Sequence, residues 1–543
     1  MILTALIAIP LVAGTATWLL GSRGRAVHWI ALAATLLECV LVAAIAIEHA
    51  NAPAGMIARE AARLEESGFS SGPGSAGGSG GGWADALTAV VARGGAWMLE
   101  EDHAWIPRFG IRYHLGIDGL SLVLIGLSAL IGVVAVLVSW REITRRPGLF
   151  HTALLFVLAG LNGVFLALDL FLFYFFWEVM LVPMYFLIGA WGHERRIYAA
   201  VKFFLFTLAS GLLMLVAILG LYIAHGRASG NFTFDYAALV GGTLIPGADR
   251  WLMLGFLAAF LVKLPVVPLH TWLPDAHSEA PTAGSVVLAA LLLKTGAYGI
   301  LRFVLPFFPR AAAEFATTGM LLGVIGILYG AALSFAQRDL KRLVAYTSVS
   351  HMGFVMLGAF AGNQLALQGT VLQMLAHGIS TGALFAIAGM LYERVATRDL
   401  DRMGGFWNAM PRMGGLTMVF VMASLGLPGL GNFVAEILIL LGAFRAHPGL
   451  ATIAAVGMVA ATIYSLALMQ RVFLGALRQT GPAAVSTGAS HSGETRLVDL
   501  RPREMVILAV LTIAIVWLGL VPQPFINVVA PALHAIGRMA SAM

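Results

Sequence analysis

The chain has 543 residues, of which 59% are hydrophobic and only 11% are charged. Soluble domains carry about 25% charged residues, so this composition excludes a water-soluble protein and predicts one that crosses a bilayer many times. The net charge is +6, but the basic residues are scattered through short segments between apolar runs, which excludes a nucleic-acid-binding protein.

Apolar runs of about 20 residues, the length that spans a bilayer core as a helix, predict fourteen transmembrane helices. The fold class is therefore an all-α polytopic membrane protein. The first run has no basic residues before it, so we interpret it as a membrane span rather than a cleaved signal. The predicted spans are 2–20, 27–47, 117–139, 150–168, 170–191, 199–224, 250–270, 281–303, 315–336, 341–360, 365–392, 412–441, 449–474 and 504–524.

The loops between these spans predict the orientation of the chain. Most of the lysines and arginines lie in the odd-numbered loops, which the positive-inside rule places in the cytoplasm. Both termini are then expected on the side of the membrane opposite the cytoplasm.

The longest loop, 48–116, is predicted to be irregular. It contains a glycine-rich linker from Ser70 to Gly82, followed by a short amphipathic segment from Trp83 to Leu99. The stretch 475–503 is a second polar linker, expected in the cytoplasm. The single cysteine, Cys39, cannot form an internal disulfide or hold an iron–sulfur cluster, so we expect no redox centre in this chain.

Two predicted spans contain helix-breaking residues at membrane depth. Span 7 has Lys263-Leu264-Pro265 and then Pro268, and span 12 has the run Gly426 to Gly431. Broken helices are tolerated in a membrane where they line a polar interior. Since the breaks lie five spans apart, they suggest two inverted five-helix repeats, of the kind that transporters use.

The predicted organisation has seven segments. They are 1–47 (two helices), 48–116 (the extramembrane loop), 117–149 (the third helix and its loop), 150–303 (the first repeat), 315–474 (the second repeat), 475–503 (the linker) and 504–543 (the last helix and C-terminus).

Four ionisable residues lie near the centres of predicted spans: Glu178, Lys263, Lys294 and Glu436. A charge at that depth costs roughly 2.5–3.5 kcal/mol, so such residues usually face a polar interior and have a function there. Together they predict a path for protons or small cations. The alternatives are structural ion pairs for the acids and snorkelling for the lysines.

Histidines and span-end residues add further candidates. His351 and His377 lie near mid-span, where each is either a proton relay or a buried histidine that only completes a hydrogen bond. In the segment 270–277, Asp275 is as consistent with helix capping as with proton entry. Asp118 and Asp169 stand at span ends, where a structural role is expected.

Three segments resemble a known family, the proton-translocating antiporter-like membrane subunits of respiratory complex I. They are FFWEVMLVPMYFLIGAWG, FLVKLPVVPLHTWLPDAHSEAPTAGSVVLAALLLKTGAYGILR and KRLVAYTSVSHMGF. The similarity extends from about residue 110 to 475. Glu436 favours the M-type branch of the family, because the sister subunits usually carry lysine there. The glycine-rich insertion departs from the family pattern.

The resemblance implies fourteen helices, two inverted repeats and broken helices 7 and 12. It also implies site roles: Glu178 and Lys263 as a charge pair, Lys294 as the connecting lysine, Glu436 as the terminal proton site, and His351 and His377 as relays. Proton translocation would be coupled to quinone reduction. NADH, flavin, iron–sulfur clusters and quinone would be bound by partner subunits, and adjacent antiporter-like subunits would be direct neighbours.

Three alternatives stay open at this point. The chain could belong to a multi-subunit cation/proton antiporter or to a membrane-bound hydrogenase, both of which share this architecture, and sodium could replace the proton. A passive scaffold is the third; it predicts that changes at Lys263 and Lys294 alter assembly rather than transport.

Overall fold

The computed structural model describes residues 1–21, 25–51, 97–240, 247–478 and 497–541. The predicted linker Ser70–Gly82, residues 83–96 of the predicted amphipathic segment and most of the 475–503 linker lie outside these ranges. The side chains of 49–51 and 538–541 are likewise not described.

The described residues form eighteen helices of more than one turn and one β-hairpin. The hairpin strands are β1 (Leu99–Ile106) and β2 (Ile111–Ile117). Two single-turn helices, Tyr236–Leu239 and Phe406–Ala409, lie in connections. The longer helices are α1 (Ile2–Leu20), α2 (Arg25–Asn51), α3 (Gly119–Glu142), α4 (Pro147–Leu166), α5 (Leu170–Val179), α6 (Leu181–Trp191), α7 (Arg196–Ser229), α8 (Ala248–Lys263), α9 (Trp272–Glu279), α10 (Thr282–Phe307), α11 (Pro309–Phe335), α12 (Leu340–Phe360), α13 (Gln364–Val395), α14 (Pro411–Ser424), α15 (Gly431–Ala446), α16 (Pro448–Val472), α17 (Pro502–Leu520) and α18 (Gln523–Ser541).

Twelve helical segments in the described ranges are long and apolar enough to cross a membrane, α5 and α6 counting together as one. They correspond to twelve of the predicted spans, which confirms the all-α polytopic class. Of the other two predicted spans, 412–441 is split into the short helices α14 and α15, and 250–270 overlaps α8, which ends at Lys263; α9 begins only after that span, at Trp272. The count of fourteen crossings therefore stays a prediction, as do the inverted repeats.

Both predicted helix breaks are present. Helix α8 ends at Lys263, directly before Leu264-Pro265. Helix α14 ends at Ser424, and the chain then turns through Gly426 and Gly429, whose φ angles of 80° and 94° are unfavourable for other residues. At the first break the carbonyl of Val262 accepts a 2.9 Å hydrogen bond from the Trp272 indole, which replaces a partner lost from the helix.

Three helices, α10, α12 and α13, lie in the centre of the molecule, where they are buried over nearly their whole length. Helix α10 contains two π-helical turns, Leu288–Leu292 and Ile300–Val304, on either side of a normal segment, Leu293–Gly299. Such turns are rare, are often found at functional sites and redirect side chains on the helix surface. They were not predicted from the sequence.

The span-end aspartates have the structural role that was expected. Asp118 accepts a hydrogen bond from the Ser121 backbone and begins α3, and Asp169 accepts from Phe171 and Leu172 and begins α5. Helix α18 was not predicted as a helix, because its polar and apolar residues are mixed. Its apolar side packs on α13 and α3.

The β-hairpin was not predicted either. Its strands pair antiparallel, with Leu99 opposite Ile117 and His103 opposite Tyr113. His114 of β2 joins the hairpin to the loop after α7, since its Nδ1 lies 2.6 Å from Asp235 and its Nε2 lies 2.6 Å from Glu100. Burial alone would lower the pKa of His114, but the hydrogen bonds and charges of the two carboxylates outweigh burial and raise it.

We therefore predict that attachment of the hairpin depends on pH. Because the pKa of His114 is raised in the folded state, the charged contact is complete below about pH 6.5, the ordinary histidine value, and is lost as pH rises through the raised value. Limited proteolysis of the hairpin should be slower in the wild type than in His114→Gln at pH 6, and the difference should shrink at high pH. His103→Gln, at an exposed position on β1, is the control. A difference that does not depend on pH would contradict the prediction.

Candidate functional site

The amine of Lys294 is in the centre of the molecule, fully buried on α10. It lies 2.6 Å from the carbonyl oxygen of Ala289, which belongs to the first π-helical turn, and 2.6 Å from Nδ1 of His377 on α13. Since an amine can donate both bonds, His377 accepts at Nδ1. The lysine therefore contacts a group that can take a proton from it.

His377 continues toward a second cluster on α12, α13 and α15. Its ring centre lies 5.6 Å from that of His351, and the two rings meet edge to face. Nδ1 of His351 lies 2.9 Å from Oε1 of Glu436. The four side chains Lys294, His377, His351 and Glu436 thus form a buried row, which we call the central row; hydrogen bonds join its two ends, and a ring contact joins the two histidines.

Glu436 and His351 have additional polar neighbours. The amide of Gln373 donates a 2.8 Å hydrogen bond to the Glu436 carboxylate. On the other side of the His351 ring, Nε2 lies 3.1 Å from the Ser424 hydroxyl and 3.3 Å from the Tyr464 hydroxyl. Ser424 is the last residue of α14, so the broken helix contributes to the environment of His351.

Lys263 lies apart from the central row, at the last position of α8, and is fully buried. Its amine has no hydrogen-bond partner among the described residues. It lies 5.0 Å from the ring centre of Trp177 and 5.8 Å from that of Phe203, distances at which aromatic faces attract a cation. The rings favour the ammonium form, burial opposes it, and no hydrogen bond from the described residues fixes the amine.

Glu178 is next to Trp177 but is only half buried. Within the described ranges it makes no ion pair with Lys263 inside 4 Å, although the two groups interact electrostatically at longer range. Its carboxylate packs against α7 at Gly211, where an added Cβ atom would lie 2.6 Å from Oε1. The charge pair implied by the resemblance is therefore a separated pair in this structure.

The end of α8 lies directly against α10, close to Lys294. A Cβ atom at Gly296 would lie 2.6 Å from the carbonyl oxygen of Phe260 and 2.8 Å from the nitrogen of Leu264. Helix α8 therefore approaches α10 backbone to backbone, at the break. Even so, no side-chain hydrogen bond in the described part of the chain connects Lys263 with Lys294.

The segment between the two lysines is stabilised by charges at its outer end. Asp275 pairs with Lys202 at 2.7 Å and with Arg342 at 2.9 Å, so its observed role is ion pairing rather than capping. His277 is fully buried and stacks on Phe385, with ring centres 4.5 Å apart.

Several polar residues of the site were missed by the sequence analysis. Gln373 precedes His377 by one helical turn, so its spacing could have indicated it. Lys341 was counted with the loop charges because it begins α12, yet it is buried and donates a 2.8 Å hydrogen bond to Ala280. Ser424 and Tyr464 gave no signal, because single hydroxyl groups are common in membrane helices.

Comparison with known proteins places this geometry in context. The family model described as "NADH:quinone oxidoreductase/Mrp antiporter, TM" matches residues 167–463. A protein of Pseudomonas aeruginosa named NADH-quinone oxidoreductase subunit M is 54% identical over 446 residues, which cover 81% of this chain and 85% of the relative. Its namesake from Escherichia coli K12 is 53% identical over 436 residues, covering 79% and 84%.

Solved structures show the same fold. A chain of respiratory complex I from Thermus thermophilus with bound NADH is similar with a TM-score of 0.80 and 29% identity, covering 99% of this chain and 100% of that one. A chain of the Mrp complex from Dietzia is similar with a TM-score of 0.76 at 20% identity, covering 100% and 97%. The second likeness concerns the fold alone.

The central row leads to a prediction for His377. Replacing it with alanine removes the imidazole that contacts both Lys294 and His351, so proton transfer along the row should fall to below about a tenth of the wild-type rate. The measurement is the initial rate of proton uptake by inverted membrane vesicles, divided by the rate of substrate oxidation. His151→Gln, a buried histidine outside the row, is the control. An unchanged ratio in an assembled His377→Ala variant would show that the row is not a relay.

Proposed function

The chain belongs to the NADH:quinone oxidoreductase/Mrp antiporter family of membrane proteins, and we propose that it is the M-type membrane-arm subunit of NADH-quinone oxidoreductase, in which it translocates protons. The central row is the observation that supports this proposal. It joins an amine, two imidazoles and a carboxylate, all buried, in one line across α10, α13, α12 and α15. Each of these groups can both accept and release a proton.

In this proposal the interaction between Glu178 and Lys263 controls when Lys263 releases its proton. Two unit charges about 8 Å apart interact by about 2 kcal/mol at an effective dielectric of 20, and by about 4 kcal/mol at 4 Å. A change in their separation therefore alters the stability of the Lys263 ammonium by an amount similar to the 2.3 kcal/mol needed to move one charge against 100 mV. Because no hydrogen bond from the described residues holds this ammonium, its charge state responds directly to Glu178.

The proton then moves in balanced steps. When Glu178 moves away, the Lys263 ammonium releases one proton, which reaches the Lys294 amine through intervening water, since no side chain bridges the two. Lys294 passes a proton to Nδ1 of His377, and His377 releases one from Nε2, which has no hydrogen-bond partner among the described residues, to His351 through intervening water. His351 delivers one to Glu436, and Glu436 releases one before the next arrives. Each donor returns to its original state when it receives the next proton, so the row is not consumed.

Energy for this cycle comes from quinone reduction in other subunits. We propose that NADH, flavin, iron–sulfur clusters and quinone are bound there and that this chain holds no redox site of its own. Adjacent antiporter-like subunits are its neighbours in the membrane arm. Half-buried Glu178 stands at the surface of this chain, where the charges of a neighbouring subunit could shift it.

We further propose that the odd-numbered loops face the cytoplasm and that both termini are periplasmic, as the distribution of lysine and arginine predicts. In this orientation the β-hairpin, which lies in the second loop, is periplasmic, and the ion-paired end of α9 with Asp275 is cytoplasmic.

Replacing either member of the Glu178–Lys263 pair should lower proton pumping without preventing assembly of the complex. Lys263→Ala and Glu178→Gln should each lower NADH-driven proton pumping by about tenfold or more, because one loses the donor and the other loses the charge that regulates it. Pumping is measured by fluorescence quenching in inverted vesicles, together with NADH oxidation and the amount of assembled complex. Glu314→Gln, at an exposed acid, is the control. Normal pumping in the assembled variants would contradict these roles, and loss of assembly without any transport defect would favour the scaffold alternative.

Co-purification tests the identity of the complex. A tagged copy of the chain, isolated in mild detergent, should bring with it subunits that contain flavin and iron–sulfur clusters and should reduce quinone with NADH. Mass spectrometry and the absorption spectrum of the clusters provide the measurement. Recovery of only other antiporter subunits, without clusters, would favour a cation/proton antiporter instead.

A further inference from the structure

A second buried group of polar side chains lies on α10, toward the end of the helix that faces the hairpin. Arg302 is only 4% exposed and donates a 2.6 Å hydrogen bond to Asp118, the residue that follows β2. The ring of Trp97, directly before the hairpin, covers the guanidinium at 4.8 Å. The proposed transport route does not use this group.

Arg302 shares one face of α10 with Lys294. Residues 294, 298 and 302 follow each other at four-residue intervals over about 12 Å of the helix axis, and we call Lys294, Tyr298 and Arg302 the polar stripe. The Lys294 amine itself is directed away from Arg302, toward Ala289 and His377. The stripe extends from Lys294 toward the hairpin side of the membrane. A proton that followed it would bypass His377, His351 and Glu436.

The hydrogen bonds along this stripe cannot relay a proton. Arg302 Nε donates to the Tyr298 hydroxyl at 3.2 Å, and Tyr298 in turn donates to the carbonyl oxygen of Phe165 at 3.0 Å. The Ser121 hydroxyl donates to the same carbonyl at 2.6 Å. Arginine does not release its proton in proteins, and a backbone carbonyl has none to pass on, so neither end of this chain can relay a proton.

We propose that Arg302 is a barrier that prevents protons from passing directly between Lys294 and the hairpin side, so that they must take the central row. Asp118 holds the guanidinium in place, and Trp97 covers it. The barrier acts through two properties: the fixed positive charge repels an incoming proton, and the guanidinium occupies the acceptor site of Tyr298. The inference depends on the proposed function, because it takes Lys294 as a proton-carrying group.

The test is passive proton leakage, measured without NADH in liposomes that contain the purified complex. Arg302→Gln should accelerate the collapse of an imposed pH gradient by about tenfold, which corresponds to a barrier lowered by about 1.4 kcal/mol. The double variant Asp118→Asn with Arg302→Gln should leak equally. It replaces both partners by neutral groups and leaves no unpaired buried charge.

Two matched variants separate a barrier from a purely structural pair. Arg302→Lys retains the positive charge and should leak no more than the wild type. Arg250→Gln, which breaks an exposed arginine–glutamate pair, should also have no effect. A leak in Arg302→Lys as large as that in Arg302→Gln, or wild-type tightness in Arg302→Gln, would overturn the proposal. Failure of both neutral variants to assemble while Arg302→Lys assembles would also overturn it, in favour of a structural role.

A further variant shows whether the leak starts at Lys294. Adding Lys294→Ala to the neutral double variant should abolish the additional leak. If the leak persists, it does not run along the stripe and the inference is wrong, even if NADH-driven pumping still depends on Lys263. Failure of the proposed function is seen separately, as normal pumping in the Lys263→Ala complex.

Discussion

The cost of placing charge in a medium that cannot solvate it governs the interior of this protein. Lys263, Lys294 and Glu436 are all inaccessible to solvent in the isolated chain, and each is stabilised in a different way. Lys294 has a carbonyl oxygen and an imidazole, and Glu436 has an imidazole and an amide. Within the part of the chain that the structure describes, Lys263 has no hydrogen bond and lies near two aromatic rings. This least stabilised group is also the one that interacts electrostatically with the half-buried acid Glu178. This gradient of stabilisation is what allows a small movement of Glu178 to affect the interior.

Irregular backbone also helps to accommodate the buried charges. In a regular helix the carbonyl groups already accept hydrogen bonds from the same helix, so an uninterrupted bundle would have few free acceptors for a buried amine. Here the breaks after Lys263 and Ser424 and the π-helical turns of α10 change the local pattern at the positions where ionisable side chains lie. Irregular backbone and buried charge therefore occur together, as in other proteins that move ions through an apolar interior.

Much of this arrangement could be predicted from the sequence because a charged residue within an apolar run is easy to recognise. Lys294, His377, His351 and Glu436 were all identified in this way, and the structure brings them into one row. Their order could not be predicted, because contacts between α10, α12, α13 and α15 depend on packing between distant segments. Gln373, Ser424 and Tyr464 were missed because a neutral polar group in a membrane helix costs little free energy on insertion and hardly changes the mean hydropathy of the span. Lys341 was missed because its sequence neighbours are those of a loop, although its side chain is directed inward.

The widened turn before Lys294 has a consequence for the angular position of that lysine. A π-helical turn accommodates one residue more than an α-helical turn, so everything after it is rotated about the helix axis. If the residues between 288 and 292 were wound as an ordinary α-helix, the amine would turn by about 100°, away from His377. No ionisable group would be lost, and the helix would still cross the molecule. Functional geometry here therefore rests on the winding of one turn, so a substitution in this short stretch that favours regular α-helix displaces the lysine without changing any ionisable side chain.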